Sequence, residues 1–293
     1  MNDELKPSLD HVVLAVADLD DATAAYVSLL ARAPSWRGVH PGLGTCNTLF
    51  RLDNTYLELL ASAADGGPLA DLVTASLRGR AERPFALALG VADLAAAVAS
   101  LRARGIAVGD PADGAGSDDG TAGRRTWRSA FVDPATVRGL RLLLIEHTAP
   151  PDALPLAEAT SAADTACTAI DHVVVFSDDL EASLALWTER LGLAVRWRED
   201  FPARGTRNVG LDLGGIVLEL ITRREIRAPS GRDDVLWGVA YRVADCAGAV
   251  TRVRASGLET SDVLAGLTAG TEVTSVRWPR TASLLISTRR PPT

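Results

Sequence analysis

A long internal repeat constrains the fold more than any other feature of this sequence. Residues 10–60 align without a gap to residues 171–221, and more than a third of the aligned positions are identical. Both copies open with Asp-His-Val-Val, and both place a glutamate 47 residues after that histidine. A match of this length indicates a duplicated structural unit rather than a chance motif.

Each repeated unit predicts one strand, one helix and then about three strands. In the first copy a strand rich in Val and Leu, residues 9–16, is followed by Asp18, a typical helix N-cap, and Pro34 ends the helix. A weaker version of the pattern follows each copy, because residues 91–93 and 243–245 both read Val-Ala-Asp. The sequence therefore predicts an α+β protein with four βαβββ modules in two tandem domains.

The module boundaries follow from these patterns. The first domain is predicted at 1–147 with modules 8–62 and 84–147, and the second at 169–293 with modules 169–222 and 235–288. Residues 148–168 lack apolar periodicity and predict the linker. Residues 109–126, rich in Gly, Asp and Ala, predict a long exposed loop. The sequence leaves open whether the modules pair within each half, across the halves or between chains.

Composition narrows the class of partner. The net charge is −7 and no Lys/Arg run is present, which argues against nucleic acid or an anionic membrane as a partner. No apolar run reaches membrane-spanning length, and the N-terminus has no apolar signal core, so a cytoplasmic location is expected. The three cysteines are scattered, and no Gly-rich phosphate loop is present. We therefore expect a small-molecule ligand, no nucleotide cofactor, and a monomer or homodimer.

The repeated histidines and glutamates are the main candidates for chemistry. Glu58 and Glu219 each lie in the middle of an apolar strand, where an unpaired carboxylate is costly, so each is expected to have a partner or to face a wet cavity. His11 and His172 are likewise embedded in apolar strands. Imidazole and carboxylate suit a divalent metal or proton transfer near neutral pH. A structural hydrogen bond in a duplicated core is the alternative.

A second repeated motif supplies hydroxyl and amide groups. Thr45 and Asn47 in the first copy correspond to Thr206 and Asn208 in the second. Alternate residues of a strand share a face, so each pair is expected to point to one side and to hydrogen-bond an oxygenated substrate. Turn chemistry at the start of a strand explains the same motif equally well.

Aromatic and basic residues offer weaker candidates. His40 precedes the second strand and is replaced by Phe201 in the repeat, so it either lines one pocket or lies in a surface loop. Trp127 and Trp278 fall in late strands, and arginines stand on both sides of Trp127 at positions 125 and 128. Such a wall suits a planar or anionic ligand, whereas a tryptophan in a strand is more often part of the core.

These motifs resemble those of the vicinal oxygen chelate superfamily. The resemblance rests on Leu-Asp-His-Val-Val-Leu-Ala-Val-Ala-Asp-Leu from position 9, Tyr-Leu-Glu-Leu-Leu from position 56, and His-Pro-Gly-x-Gly-Thr-x-Asn at 40–47. It covers nearly the whole chain and is stronger for modules one and three. The superfamily includes glyoxalases, extradiol dioxygenases, epimerases and bleomycin-type resistance proteins.

The resemblance implies a metal site formed by paired modules around a cavity. Its ligand positions, a first-strand His and a last-strand Glu, are occupied here by His11, Glu58, His172 and Glu219, and the implied ion is divalent Fe, Mn, Zn or Ni. Modules two and four depart from this pattern: they carry Ala86 and Gly238 at the His position, and Leu143 and Leu284 or Leu285 at the Glu position. Each cavity would then receive only two protein ligands, which is fewer than a tight catalytic metal normally has.

Three functional hypotheses follow. The first is a glyoxalase-like enzyme that isomerises, eliminates from or opens a small oxygenated molecule, with the His/Glu pairs as metal ligands or acid–base groups. The second is a binding protein that sequesters a hydrophobic or aromatic metabolite, as the resistance members of the superfamily do. The third has one working half and one degenerate half, because His40 and Arg51 have no like counterparts in the repeat.

Overall fold

The structure is a computed structural model. It describes residues 6–40, 42–78, 83–118, 123–225, 231–266, 270–277 and 282–288. The first half contains β1 (Ser8–Ala15), α1 (Leu19–Leu30), β2 (Trp36–His40), β3 (Thr45–Arg51), β4 (Tyr56–Ser62), α2 (Pro68–Leu77), β5 (Arg83–Gly90), α3 (Leu94–Ala103), β6 (Ala112–Asp118), β7 (Arg124–Phe131) and β8 (Leu142–His147).

The second half follows a similar order, but its described residues contain no counterpart of α2 and form two short strands where the first half has β6. It contains β9 (Ala169–Phe176), α4 (Leu180–Ala185), β10 (Ala194–Phe201), β11 (Thr206–Leu213), β12 (Ile216–Arg223), β13 (Val235–Arg242), α5 (Cys246–Ala255), β14 (Glu259–Thr260), β15 (Leu264–Ala265), β16 (Thr271–Arg277) and β17 (Ala282–Thr288). One π-helical turn, Leu186–Arg190, continues α4. The predicted α+β class with two tandem domains of this type is confirmed.

The eight strands of the first half close into a barrel in the order β1-β4-β3-β2-β6-β7-β8-β5. Its two modules meet at two seams, where β1 runs antiparallel to β5 and β2 runs antiparallel to β6. The modules therefore pair within the half.

The second half is an open sheet. Its strand order is β10-β11-β12-β9-β13-β17-β16-β14, with β15 beside β16. Among the described strands its two modules meet at one seam, where β9 runs antiparallel to β13. The strand β10 forms an edge, and most of its residues are exposed.

An aspartate begins the first helix of every module. In each case the aspartate carboxylate accepts a hydrogen bond from the backbone N–H three residues later, at distances of 2.9 to 3.0 Å; these residues are Asp18, Asp93, Asp179 and Asp245. Such a cap satisfies one of the free N–H groups in the first helical turn. The predicted cap at Asp18 is confirmed.

Two features of the first half differ from the sequence-based expectation. The loop predicted over 109–126 is wrong in part, because β6 lies within it and pairs with both β2 and β7. Its small residues permit this, since a Cβ at Gly114 would overlap the indole of Trp127. The helix α2 was not predicted; it begins with Pro68 at a position where proline is tolerated.

Additional segments cover both ends of the barrel. At one end, Val73 of α2 packs with Val13, Ala15 and Leu60, which lie at the ends of β1 and β4. At the other, Leu154 of the segment between the halves packs against the inward-facing Trp36, Leu49 and Tyr56. Apolar side chains from both ends therefore shield the barrel interior from water.

The two halves are hydrogen-bonded to each other. Asn54 exchanges two hydrogen bonds with the backbone of Ile170, at 2.8 and 3.1 Å, and Arg32 donates to the carbonyl of Cys167 at 2.8 Å. Of the helices in the described part of the chain, none is long and apolar enough to cross a membrane.

Candidate functional site

The candidate site lies on the inner face of the first barrel, where β1 and β4 run parallel. In their register His11 is level with Tyr56, and Val13 is level with Glu58. Alternation along a strand places His11 on the same face as Glu58. The duplicated sequence thereby brings one imidazole and one carboxylate together from strands that are neighbours in space.

His11 is held between two carboxylates. Its Nδ1 lies 2.7 Å from Asp10 Oδ1, and its Nε2 lies 3.2 Å from Glu58 Oε2. Burial alone would lower the pKa of His11, but the hydrogen bonds to Asp10 and Glu58 outweigh burial and raise the pKa to about 9. Burial would raise the pKa of Glu58, yet the bond and charge of His11 lower it to about 2. His11 is therefore an imidazolium at neutral pH.

His40 is the second histidine in the site and has the opposite character. The Asn47 amide Nδ2 donates to Glu58 Oε1 at 2.7 Å and lies 3.2 Å from His40 Nε2, so His40 Nε2 acts as the acceptor. The other ring nitrogen, Nδ1, then donates to Thr45 Oγ1 at 3.0 Å. Burial lowers the pKa of His40, and the charge of Glu58 only partly opposes this effect. The network therefore assigns a neutral His40.

Aromatic rings surround these polar groups. The ring of Tyr56 stacks on the His11 ring, with ring centroids 4.4 Å apart. The rings of Trp127 and His40 meet edge to face, with ring centroids 5.9 Å apart. The guanidinium of Arg125 lies 5.8 Å from the ring of Trp36. These rings exclude water, which strengthens the electrostatic interactions in the site.

The charge state of His11 predicts a pH dependence of stability. The folded-state pKa of about 9 lies above the usual histidine value of 6.5, so the stabilisation is complete below about pH 6.5 and is lost as the pH rises through 9. We expect NMR of the imidazole nitrogens to show His11 still protonated at pH 7.5 while His40 is neutral. A His11 ring that titrates near pH 6.5 would contradict this arrangement.

The second half contains a copy of the same network. His172 Nε2 lies 3.5 Å from Glu219 Oε2, and its Nδ1 lies 2.9 Å from Asp171 Oδ1. Asn208 Nδ2 donates to Glu219 Oε1 at 2.7 Å, as Asn47 does to Glu58. Phe201 stands at the position of His40, so this copy has no second imidazole.

The structure gathers most of the predicted site residues. Those of the first barrel form one connected cluster: His11, Glu58, His40, Thr45, Asn47 and Trp127. The alternative that placed His40 in a surface loop is wrong, because it ends β2 and its side chain is only 11% exposed. In the second half His172, Glu219 and Asn208 are connected, and Thr206 pairs in register with Phe201. Trp278 lies outside the described residues.

Sequence reasoning missed the residues that hold the histidines. Asp10 and Asp171 bind His11 and His172 directly, although each aspartate belongs to the repeated Asp-His pair and was therefore visible. A further partner differs between the halves: His147 lies 2.9 Å from Asp10 Oδ2, whereas Arg242 lies 2.9 Å from Asp171 Oδ2. No sequence pattern links these distant residues.

The donor set does not fit the metal that the resemblance implies. In module one, Val13 of β1 pairs with Glu58 of β4. Ala88 of β5 holds the position of Val13 in module two, and it pairs with Leu143 of β8, so no acid stands at the equivalent position of module two. The first half supplies His11, His40 and Glu58, and the second half supplies His172 and Glu219. The described residues nevertheless contain no group of three His, Cys, Asp or Glu placed to hold a metal ion. Catalytic zinc sites typically have three protein ligands, and the ligating histidine must be neutral. Both ring nitrogens of His11 are already engaged, Nδ1 by Asp10 and Nε2 by Glu58.

Sequence comparison agrees with this fold. The family described as the glyoxalase-like domain matches residues 9–167, which is more than half of the chain. The Glyoxalase/Bleomycin resistance protein/Dioxygenase superfamily matches residues 171–274. The chain belongs to the glyoxalase-like family. No curated protein sequence matches this glyoxalase-like chain.

Solved structures share the tandem arrangement of this glyoxalase-like protein. A triple mutant of 4-hydroxymandelate synthase from Streptomyces coelicolor is 19% identical, with 98% of this chain and 94% of that chain covered and a TM-score of 0.68. The Mn(II)-bound glyoxalase from Novosphingobium aromaticivorans is 17% identical, with coverages of 97% and 83% and a TM-score of 0.64. A hypothetical protein from Staphylococcus aureus is 14% identical, with coverages of 95% and 98% and a TM-score of 0.65. These identities indicate a shared fold.

Proposed function

We propose that this glyoxalase-like protein is an enzyme whose first half transfers a proton on a small oxygenated molecule. The observation that carries this proposal is the pairing of a neutral His40 with a charged His11 around Glu58. Two titratable groups whose environments push their pKa values apart are the usual basis of acid–base assignments. His40 is then the base, and His11 supplies positive charge.

The proposed step is the removal of a proton from a carbon beside a carbonyl group. The proton moves from that carbon to His40 Nε2, and the electron pair of the broken C–H bond moves to the carbonyl oxygen. His11 and Arg125 both place positive charge near His40, which supports the negative charge that forms beside it. Return of the proton to the same or a neighbouring carbon completes an isomerisation.

Glu58 and Asn47 serve as positioning residues in this proposal. Glu58 accepts hydrogen bonds from His11 and Asn47, and its pKa of about 2 leaves it too weak a base to remove a proton from carbon at neutral pH. Asn47 contacts both Glu58 and His40, so it fixes the distance between the base and the charged pair. The structure supports no step through a metal, because the donor set described above does not fit one.

Proton exchange tests the proposal without knowledge of the substrate. Protein dialysed against a chelator should catalyse exchange of carbon-bound hydrogen in D₂O for at least one of a panel of 2-oxo acids and hydroxyketones, followed by proton NMR. We expect the exchange rate to be unchanged by the chelator. Exchange that appears only after addition of Mn²⁺, Fe²⁺, Zn²⁺ or Ni²⁺ would contradict the proposed role of His40 and favour a metal mechanism.

Ligand binding without turnover is a second candidate function, and it applies to the second half. Phe201 replaces the proposed base, while the His172–Glu219–Asn208 network is retained. Such a half holds a ligand but has no group placed to take its proton. Binding of a second equivalent of ligand that survives loss of activity in the first half would support this role.

A further inference from the structure

A buried guanidinium in the first barrel has aromatic neighbours but no acidic partner in the part of the chain that the structure describes. Arg125 lies on β7 and is 8% exposed. Its guanidinium lies 5.8 Å from the ring of Trp36 and 5.3 Å from that of Tyr56. Among the described residues no Asp or Glu oxygen lies within 4.0 Å of it.

A second arginine on the same strand shows the usual arrangement by contrast. Arg128 points to the opposite face of β7, where it lies 3.8 Å from Glu146 and 3.8 Å from Asp113. Its side chain is 40% exposed, so water and two carboxylates satisfy its charge. Arg125 has no such carboxylate within 4.0 Å among the described residues, although it is only 8% exposed and faces the interior.

A buried cation without an anion is costly, and aromatic contacts offset only part of that cost. The guanidinium carries five N–H donors in a planar fork that matches a carboxylate in a bidentate geometry. The donors of Arg125 therefore suit an anionic group from a ligand.

A buried acceptor lies in the same interior. Asn47 is 4% exposed, and its Oδ1 has no hydrogen-bond partner among the described residues, because the amide nitrogen faces Glu58 and His40. An unpaired buried oxygen is likewise unfavourable unless a ligand hydroxyl or amine donates to it. The interior thus presents both a cation and a free acceptor.

We propose that Arg125 binds the carboxylate of a small hydroxycarboxylate ligand inside the first barrel, with Asn47 Oδ1 accepting from the ligand hydroxyl. The indoles of Trp36 and Trp127 lie beside this position and contact its apolar carbon skeleton; both come within 3.8 Å of the Cβ position of Gly116, which faces Arg125 across β6 and β7. This assignment concerns ligand binding, and a 2-oxo acid of the exchange panel presents the same carboxylate to Arg125. It rests on the proposed function only for the statement that such a ligand is turned over.

One such site is expected per chain. Thr288 ends the last strand of the second half, as His147 ends the last strand of the first half. Thr271 of β16 pairs with Thr288, and Trp127 of β7 pairs with His147. The second half therefore has Thr271 where the first has the indole of Trp127. Calorimetric titration should accordingly give one Arg125-dependent carboxylate site per chain.

The test is calorimetric titration of the full chain with lactate and 3-phenyllactate. We expect at least one of them to bind, and Arg125→Gln to weaken that binding by about ten- to a hundred-fold, the range for a charge-assisted pair. Arg128→Gln makes the same charge change on the outer face and should leave the affinity unchanged. The corresponding amides, lactamide and 3-phenyllactamide, lack the negative charge. Their affinity for the parent protein should be no higher than the affinity of the acids for the Arg125→Gln variant.

Further comparisons separate the outcomes. Arg125→Lys keeps the charge but not the planar guanidinium, so a partial loss of affinity is expected. The comparison of acid with amide uses the parent protein and therefore does not depend on the folding of a variant. If neither carboxylate binds, or if Arg125→Gln binds as tightly as the parent, the anion site is wrong. If the acids bind in an Arg125-dependent manner but no proton exchange is found, the proposed function is wrong and the anion site stands. If proton exchange is found but binding does not depend on Arg125, the anion site is wrong and the proposed function stands.

Discussion

Replacing His40 by phenylalanine, the residue at the equivalent position of the second half, should abolish proton exchange while the fold is retained. A positioned general base contributes about a hundred- to ten-thousand-fold to a rate, and a loss in that range is expected. Phe201 occupies the corresponding end of β10 in the repeat, but β10 is an exposed edge strand, so the thermal midpoint checks that the closed barrel accommodates the larger ring. The measurement is the exchange rate in D₂O, beside circular dichroism and the thermal midpoint.

The second half supplies a matched control for this substitution. Phe201→His changes the same position of the repeat in the opposite direction and should leave the exchange rate of the first half unaltered. A His40→Phe protein that folds and exchanges protons at the parent rate would remove His40 from the mechanism. Loss of exchange in both variants would indicate a general structural effect.

Replacing Glu58 by alanine should lower the free energy of unfolding by about 3–5 kcal/mol, the cost of breaking a buried pair by removing one partner. The substitution leaves the His11 imidazolium with one carboxylate instead of two, and it leaves the Asn47 amide nitrogen without its 2.7 Å acceptor. Urea unfolding monitored by circular dichroism gives the difference.

Glu219→Ala is the matched control for Glu58→Ala. The His172–Glu219 distance is 3.5 Å against 3.2 Å for His11–Glu58, and the His172 side chain is 14% exposed against 5% for His11. Water therefore compensates the second pair more readily, and a smaller loss of stability is expected. Equal losses in the two variants would show that the closed barrel does not strengthen the first pair.

The repeat was sufficient to predict the elements and the central His/Glu contact. Two parallel neighbouring strands with one polar residue each, at equal spacing in both copies, bring His11 to Glu58 and His172 to Glu219. The His/Glu contacts depend on local periodicity, which a sequence shows directly. The contacts of Asn47 with Glu58 and of Asn208 with Glu219 were not predicted, because the alternation of these residues was assigned to substrate binding.

The closure of the barrel could not be predicted in the same way. It depends on β6, whose Gly-, Asp- and Ala-rich sequence has low strand propensity and forms a strand because β2 and β7 pair with it on either side. The position of His40 follows from that closure, since β2 carries it to the interior beside Trp127. The interior position of Arg125, which has no acidic partner among the described residues, likewise becomes visible only in three dimensions, because the sequence shows Arg125 and Arg128 as similar flanking charges.

The different number of seams in the two halves has a consequence for association between chains. To exchange a module with another copy of this protein, the first half would have to break both the β1–β5 and the β2–β6 pairings, and a closed barrel offers no free edge to receive a strand. The second half would have to release only β9 from β13. Any dimer made by exchange of strands would therefore form through the second half and leave the barrel that carries His40 and Arg125 intact.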